Sequence, residues 1–228
     1  MKKIAILQSN YIPWKGYFDL INKCDVFVIF DDVQYTKNDW RNRNRIKTNQ
    51  GVKWLTIPVR QEGLDQRINQ TKIADARWGR KHWASLSQNY NKSLFYKDYF
   101  EVFEHLYLTG NDIYLSEINY KFLNVINEIL GIDTVIMKSE DFDLLDEKSE
   151  RLLGICKSLK ASTYISGPSA SSYLNTEIFI QEGIAIEFMD YEGYKEYPQL
   201  YPPFVHDVTI LDMIFNIGPN VTSYLKSF

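Results

Sequence analysis

Apolar positions along the chain follow two rhythms. Ile4-Ala5-Ile6-Leu7 and Val26-Phe27-Val28-Ile29-Phe30 are unbroken apolar runs. That is the pattern of parallel strands buried on both faces, not the alternation of a half-exposed strand. A short helix is predicted between them at 18–23, so the order strand, loop, helix, strand reads as a parallel βαβ unit. Further strands are predicted at 134–137, 163–165 and 184–188, and one at 53–59 with Pro58 near its end. In the second rhythm apolar residues recur every three or four positions, the spacing of one helical face. Trp78, His82, Leu86 and Tyr90 share such a face, as do Phe100, Phe103 and Leu106, in a helical region at about 77–107. Leu115, Ile118, Phe122, Val125 and Ile129 mark a helix over 113–130, with Gly131 as its C-cap. Leu152, Ile155 and Leu159 mark one within 141–160. A last helix is predicted over 208–217, with Asp207 as N-cap and Gly218 just past its end. The polar stretch 60–76 holds at most a short irregular strand at 68–73.

This alternation predicts an α/β fold, a Rossmann-like parallel sheet with helices on both faces. One domain over 1–228 is expected, with a helical insertion at about 77–107 and a C-terminal loop and helix, about 190–228, packed on it. Sheets of this kind bind ligands in the crevice at the carboxyl ends of their strands. Two polar and aromatic stretches leave strand ends on that side. The first holds Gln8, Asn10, Tyr11, Trp14, Lys15, Gly16 and Tyr17, where Gly16 allows close approach of a ligand or of backbone. The second begins at Asp31 and Asp32 and runs into Trp40-Arg41-Asn42-Arg43-Asn44-Arg45-Ile46-Lys47. In that polar run Arg41, Arg43 and Lys47 suit an anionic ligand, Asn44 suits a base or sugar edge, and Trp40 offers a stacking face. A third segment, Ser166-Gly167-Pro168-Ser169, leaves a strand and enters a predicted helix. Its Ser166, Gly167 and Ser169 have the makings of a phosphate turn, although serine capping accounts for the same string.

Two residues are candidates for proton transfer. Asp32, next to Asp31 at the end of a strand, is a candidate general base, and histidine, here His82, is the side chain whose ordinary titration range lies near neutrality. A turn cap and a hydrogen-bonded core histidine are the ordinary alternatives. Cys24 and Cys156 read as small buried residues.

Composition narrows the classes. A net charge of −3 over 228 residues gives no basic footprint for nucleic acid. No apolar stretch approaches the roughly 18 residues of a membrane span. The opening apolar run stops at Gln8, too short for a signal peptide, and two cysteines make no disulfide framework, so a cytoplasmic protein is expected. Sixteen Tyr, 13 Phe and 5 Trp are unusually many, and those in loops favour stacking surfaces. No metal-ligand spacing, P-loop, G-x-G-x-x-G, G-x-S-x-G or H-E-x-x-H string occurs, so neither a metal nor a cofactor is expected. The expected partner is a phosphate-bearing small molecule, with the oligomeric state, a homodimer included, left open.

Several strings resemble the WbqC-like family. They are Gln8 through Phe18, Asp31-Asp32-Val33-Gln34-Tyr35, Trp40 through Lys47, Trp54 through Val59, Tyr164 through Ala170, Tyr197-Pro198-Gln199-Leu200, and Ile210 through Gly218. Members of that family occur among bacterial genes for O-antigen and other surface polysaccharides. The resemblance implies a transferase on a nucleotide-linked amino sugar, with acyl or aminoacyl transfer as the reaction. A weaker likeness links the first turn to the H-x-G-H turn of the nucleotidylyltransferase-like fold, with Trp14-Lys15-Gly16-Tyr17 in place of the signature and Ser166-Gly167-Pro168-Ser169 as its phosphate turn. It implies nucleotide binding, but both imidazoles are replaced. A nucleotidyltransferase and a non-catalytic nucleotide-sugar binding module are the two rivals.

Overall fold

A computed structural model of the chain describes residues 1–144 and 147–228. Its centre is a five-stranded, all-parallel sheet. In chain order the strands are β1 (Lys3–Leu7), β2 (Val26–Ile29), β5 (Val135–Lys138), β6 (Thr163–Ser166) and β7 (Ala185–Phe188), and across the sheet they run β5-β2-β1-β6-β7. Two further strands, β3 (Arg43–Thr48) and β4 (Gly51–Thr56), form a separate antiparallel hairpin. The first strand lies centrally and the chain winds outward from it in both directions, so the order reverses between β1 and β6. That is the switch point of a Rossmann-like sheet.

The unbroken apolar runs are explained by burial on both faces. Alternate residues point to opposite sides. Ala5, Phe27, Ile29 and Ile165 enter one core, and Ile4, Ile6, Val26, Val28 and Tyr164 enter the other. The first and larger core lies under α1 (Lys15–Asn22), α2 (Trp78–Tyr90), α3 (Tyr96–Leu108), α4 (Leu115–Leu130) and α7 (Ile210–Ile217). The second lies under α5 (Lys148–Ser158) and α6 (Thr176–Gln181). Phe215 docks α7 on α2 and α3, with ring centroids 5.4 Å from Tyr90, 5.3 Å from Tyr96 and 5.5 Å from Phe103. Each such fully buried aromatic contributes roughly 1.5–3 kcal/mol from burial alone. No helix among the described residues is long and apolar enough to cross a membrane.

Several predicted boundaries are corrected. The helix placed at 18–23 begins three residues earlier, at Lys15. The strand placed at 53–59 is Gly51–Thr56, and its partner is the polar Arg/Asn run, for which no strand was predicted. The stretch 68–73 holds a 3-10 turn at Ile68–Gln70, not a strand. The serine segment enters a five-residue 3-10 turn, Pro168–Ser172, before α6 starts at Thr176. The last helix is capped by Thr209, whose hydroxyl accepts from Leu211 N at 3.3 Å, two residues beyond the predicted Asp207. Gly131 does cap α4, in the left-handed region at φ 69°.

Candidate functional site

Beyond β1 the chain makes a turn that other segments hold in place. Ile12 has φ 38°, a strained conformation for a β-branched residue. Asn44, buried in β3, holds it there: its amide nitrogen donates to Tyr11 O (3.1 Å) and Ile12 O (2.9 Å), and its Oδ1 accepts from Arg45 N (2.8 Å). Arg41 donates to the carbonyls of Gln8 and Ser9, both at 3.3 Å, and to Asn10 Oδ1. Asp31 accepts from Ser9 N (2.8 Å) and from the Ser116 hydroxyl. Asn119 in α4 donates to Ser9 Oγ and Arg41 O, each at 2.9 Å. The start of α7 completes the frame: Thr209 N donates to Arg45 O and Ile210 N to Pro13 O, both at 2.9 Å. The turn and the hairpin, 30 residues apart in sequence, thus form one rigid unit.

Between them lies a cavity of about 290 Å³, lined by Asn10, Pro13, Trp14, Trp40, Asn44, Arg45 and Asp207. Trp14 covers Gly16 so closely that a Cβ there would stand 2.4 Å from its ring, and its other neighbours are Tyr191 (5.1 Å) and Tyr194 (5.8 Å). Trp40 pairs with Trp54 across the outer hairpin face, centroids 5.3 Å apart, and both rings are well exposed. Arg45 lies 5.5 Å from each of these rings and ion-pairs with the Asp207 carboxylate. Arg43 lies 4.2 Å over Trp54 and donates to Asn38 O. Lys47 is buried, with its ammonium on Pro203 O. Every cation of the run therefore has a partner within the protein. Arg41 faces Asp39 at 3.6 Å, and Arg45, which lines the cavity, faces the exposed Asp207 that a ligand anion can replace.

The remaining predicted residues lie apart from this cavity. Tyr17 is buried and donates to Gln8 O at 3.0 Å. Ser166, Gly167 and Ser169 leave the same sheet edge, on the strand next to β1, but do not line the cavity. Ser171 and Ser172 donate back to the carbonyls of Pro168 and Ser169 within their own turn. Asp32 lies toward β5, where it accepts from Asn69 Nδ2 (3.0 Å) and Ser139 Oγ (2.8 Å) and faces Arg67. His82 is buried in α2. Its Nε2 donates to Thr56 O at 3.1 Å, and its Nδ1 accepts from the Tyr11 hydroxyl at 2.9 Å, which Tyr107 supports at 2.8 Å. Burial pushes the His82 pKa down to about 4. The unfolded imidazole, near 6.5, takes up a proton that the folded one refuses until about 4. Stability should therefore fall as pH drops through that window, by on the order of 3 kcal/mol in full. Urea titrations from pH 7 to 4 check this, and His82→Gln should flatten the slope. Burial pushes the thiols of Cys24 and Cys156 up to about 12, which leaves them un-ionised at neutral pH.

Two buried carboxylates and the partner of Lys15 were missed from sequence. Asp212, fully buried in α7, accepts from Tyr197 (2.7 Å), Tyr90 (2.8 Å) and Gln199 (3.0 Å). Tyr90 in turn accepts from Lys47 N at 2.9 Å, so the carboxylate is coupled to the hairpin. Asp19, buried in α1, accepts from Lys226 N, Ser227 N (each 2.9 Å) and Ser227 Oγ (2.6 Å), and from the Tyr194 hydroxyl. Lys15, also buried, places Nζ 2.8 Å from His206 Nδ1. A lone carboxylate inside an otherwise apolar helix, as in Ile210-Leu211-Asp212-Met213, was the available signal for the first.

A model of the WbqC-like protein family matches residues 8–224, which takes in every segment of this site. The chain is 45% identical over 227 residues to the uncharacterized protein Rv1507c of Mycobacterium tuberculosis (strain ATCC 25618 / H37Rv), an alignment that covers 99% of this chain and 98% of that one. No solved structure matches.

Proposed function

Because the chain belongs to the WbqC-like protein family, we propose that it is a transferase acting on a nucleotide-linked amino sugar in surface-polysaccharide assembly, by acyl or aminoacyl transfer. The observation that carries this reading is the cavity beside the switch point, with tryptophan walls and an arginine whose present partner is an exposed carboxylate. A diphosphate draws Arg45 away from Asp207, since a guanidinium binds phosphate bidentately and with charge assistance. Trp40 and Trp14 supply faces for the base or the sugar ring, and Asn10 fixes its edge. Arg41 serves by holding the turn rather than by touching the ligand.

Calorimetric titration with a panel of nucleotide-sugars is the test. At least one should bind in the micromolar to millimolar range. Trp40→Ala should weaken it roughly tenfold or more, since stacking on an aromatic face is worth ~1–3 kcal/mol. Asp207→Asn should tighten it by freeing Arg45. If no nucleotide-sugar binds at millimolar levels, the proposal fails. Release of pyrophosphate from a nucleoside triphosphate would replace it with nucleotidyl transfer.

A further inference from the structure

Lys15 is an amine in an unusual setting. It is the first residue of α1, directly after the cavity residue Trp14, and only 1% exposed. No carboxylate of the described residues lies within ion-pair distance of it. The rings of Tyr194, Tyr197 and Phe204 surround Nζ at 4.7, 5.6 and 5.7 Å. Its hydrogen-bond partner is His206 Nδ1 at 2.8 Å, on an exposed residue next to the cavity residue Asp207.

That contact constrains the protons. An ammonium has no acceptor lone pair, and a doubly protonated imidazole has none either. A hydrogen bond between Nζ and Nδ1 therefore exists only while the pair carries at most one positive charge. With one proton, the ammonium donates to Nδ1 and the imidazole is the Nε2–H tautomer. With none, the neutral amine has a lone pair as well, so Nδ1–H can donate to it, and in that tautomer Nε2 presents a free lone pair.

We infer that Lys15 and His206 form a proton-exchanging dyad beside the cavity, with His206 Nε2 as its outward group and Lys15 as the proton store behind it. This deepens the proposed function and rests on its reading of the ligand as an amine. A ligand ammonium gives its proton to Nε2 while the Nδ1 proton passes to Nζ. The ligand is left as a free amine able to attack an acyl carbon, and the dyad carries the charge. Burial lowers Lys15 to about 8, against the raising fields of Asp19 and Asp212. Burial and the Lys15 charge lower His206, against the fields of Glu196 and Asp207. Tyr194 and Tyr197 also face the amine. The exchange thus falls close to the working pH of a general base.

Nitrogen NMR of the full chain with ring-labelled histidine tests the dyad without any ligand. The His206 ring should stay neutral from pH 7 to 9 and change from the Nε2–H to the Nδ1–H tautomer around pH 8. Lys15→Met should abolish that change and move the His206 midpoint up toward 6.5. Since Lys15→Met alters a buried position, His206→Ala at an exposed one gives the second reading. Lysine NMR should then show the Lys15 midpoint shifted down, because its ammonium has lost an acceptor. A His206 titration indifferent to Lys15, or a Lys15 midpoint indifferent to His206, overturns the inference. Neither measurement uses a nucleotide-sugar, so its failure leaves the calorimetric result standing, and the reverse also holds.

Discussion

Asp212→Ala is expected to lower the unfolding free energy by ~4 kcal/mol, the scale reached when a buried hydrogen-bond centre is deleted. The substitution leaves the hydroxyls of Tyr90 and Tyr197 and the amide of Gln199 without their acceptor in a dry interior. It also leaves a void in the middle of α7, which is buried along its whole length. The urea midpoint should drop at an unchanged slope. Asp212→Asn keeps one carbonyl acceptor and should lose about half as much. Burial raises the Asp212 carboxyl above its ordinary range, so the folded form holds its proton to higher pH than the unfolded one. On that account its contribution is largest in acid and declines as pH rises through the folded value. The Asn variant should lack this component, opposite in sign to that of His82.

Asn44→Ala is expected to cost ~3 kcal/mol and to abolish ligand binding in the cavity. Three hydrogen bonds vanish together, and two buried carbonyls lose their donor. The two carbonyls that hold Ile12 at φ 38° then lose their side-chain donor, so the first turn should shift and carry Trp14 with it. Thermal unfolding gives the stability loss. Calorimetry with a nucleotide-sugar that binds the unaltered chain gives the functional one. Asn44→Asp should fare no better, since it places a carboxylate against the two carbonyls. A variant that loses stability but binds normally would separate the turn's strain from the site.

The βαβ core was legible because continuous apolar runs have one common explanation, a strand covered on both faces. The hairpin was not. Residues 43–48 alternate Arg or Lys with Asn, Ile or Thr, and the inward positions include Asn44, which sequence patterns treat as exposed. Its burial comes from backbone carbonyls more than 30 positions away. Lys47 is likewise buried because residues near Pro203 cross over it. Trp14, Trp40 and the basic run as a whole could be nominated from composition and position, but the cation partners could not. Asp207 meets Arg45 from 162 residues along the chain, and His206 meets Lys15 from 191. His82 shows the converse error. Its helical face was identified correctly, and that same face buries the ring against Tyr11 and Trp78, away from the residues that line the cavity.

Asp19 has a practical consequence for anyone handling the protein. It sits one turn along α1 from Lys15, and three of its four donors come from Lys226 and Ser227. A substitution or fusion that displaces Lys226 or Ser227 therefore tugs on the same helix that seats the amine and the tryptophan. A preparation altered at Lys226 or Ser227 should be checked for thermal stability before a failed binding assay is believed.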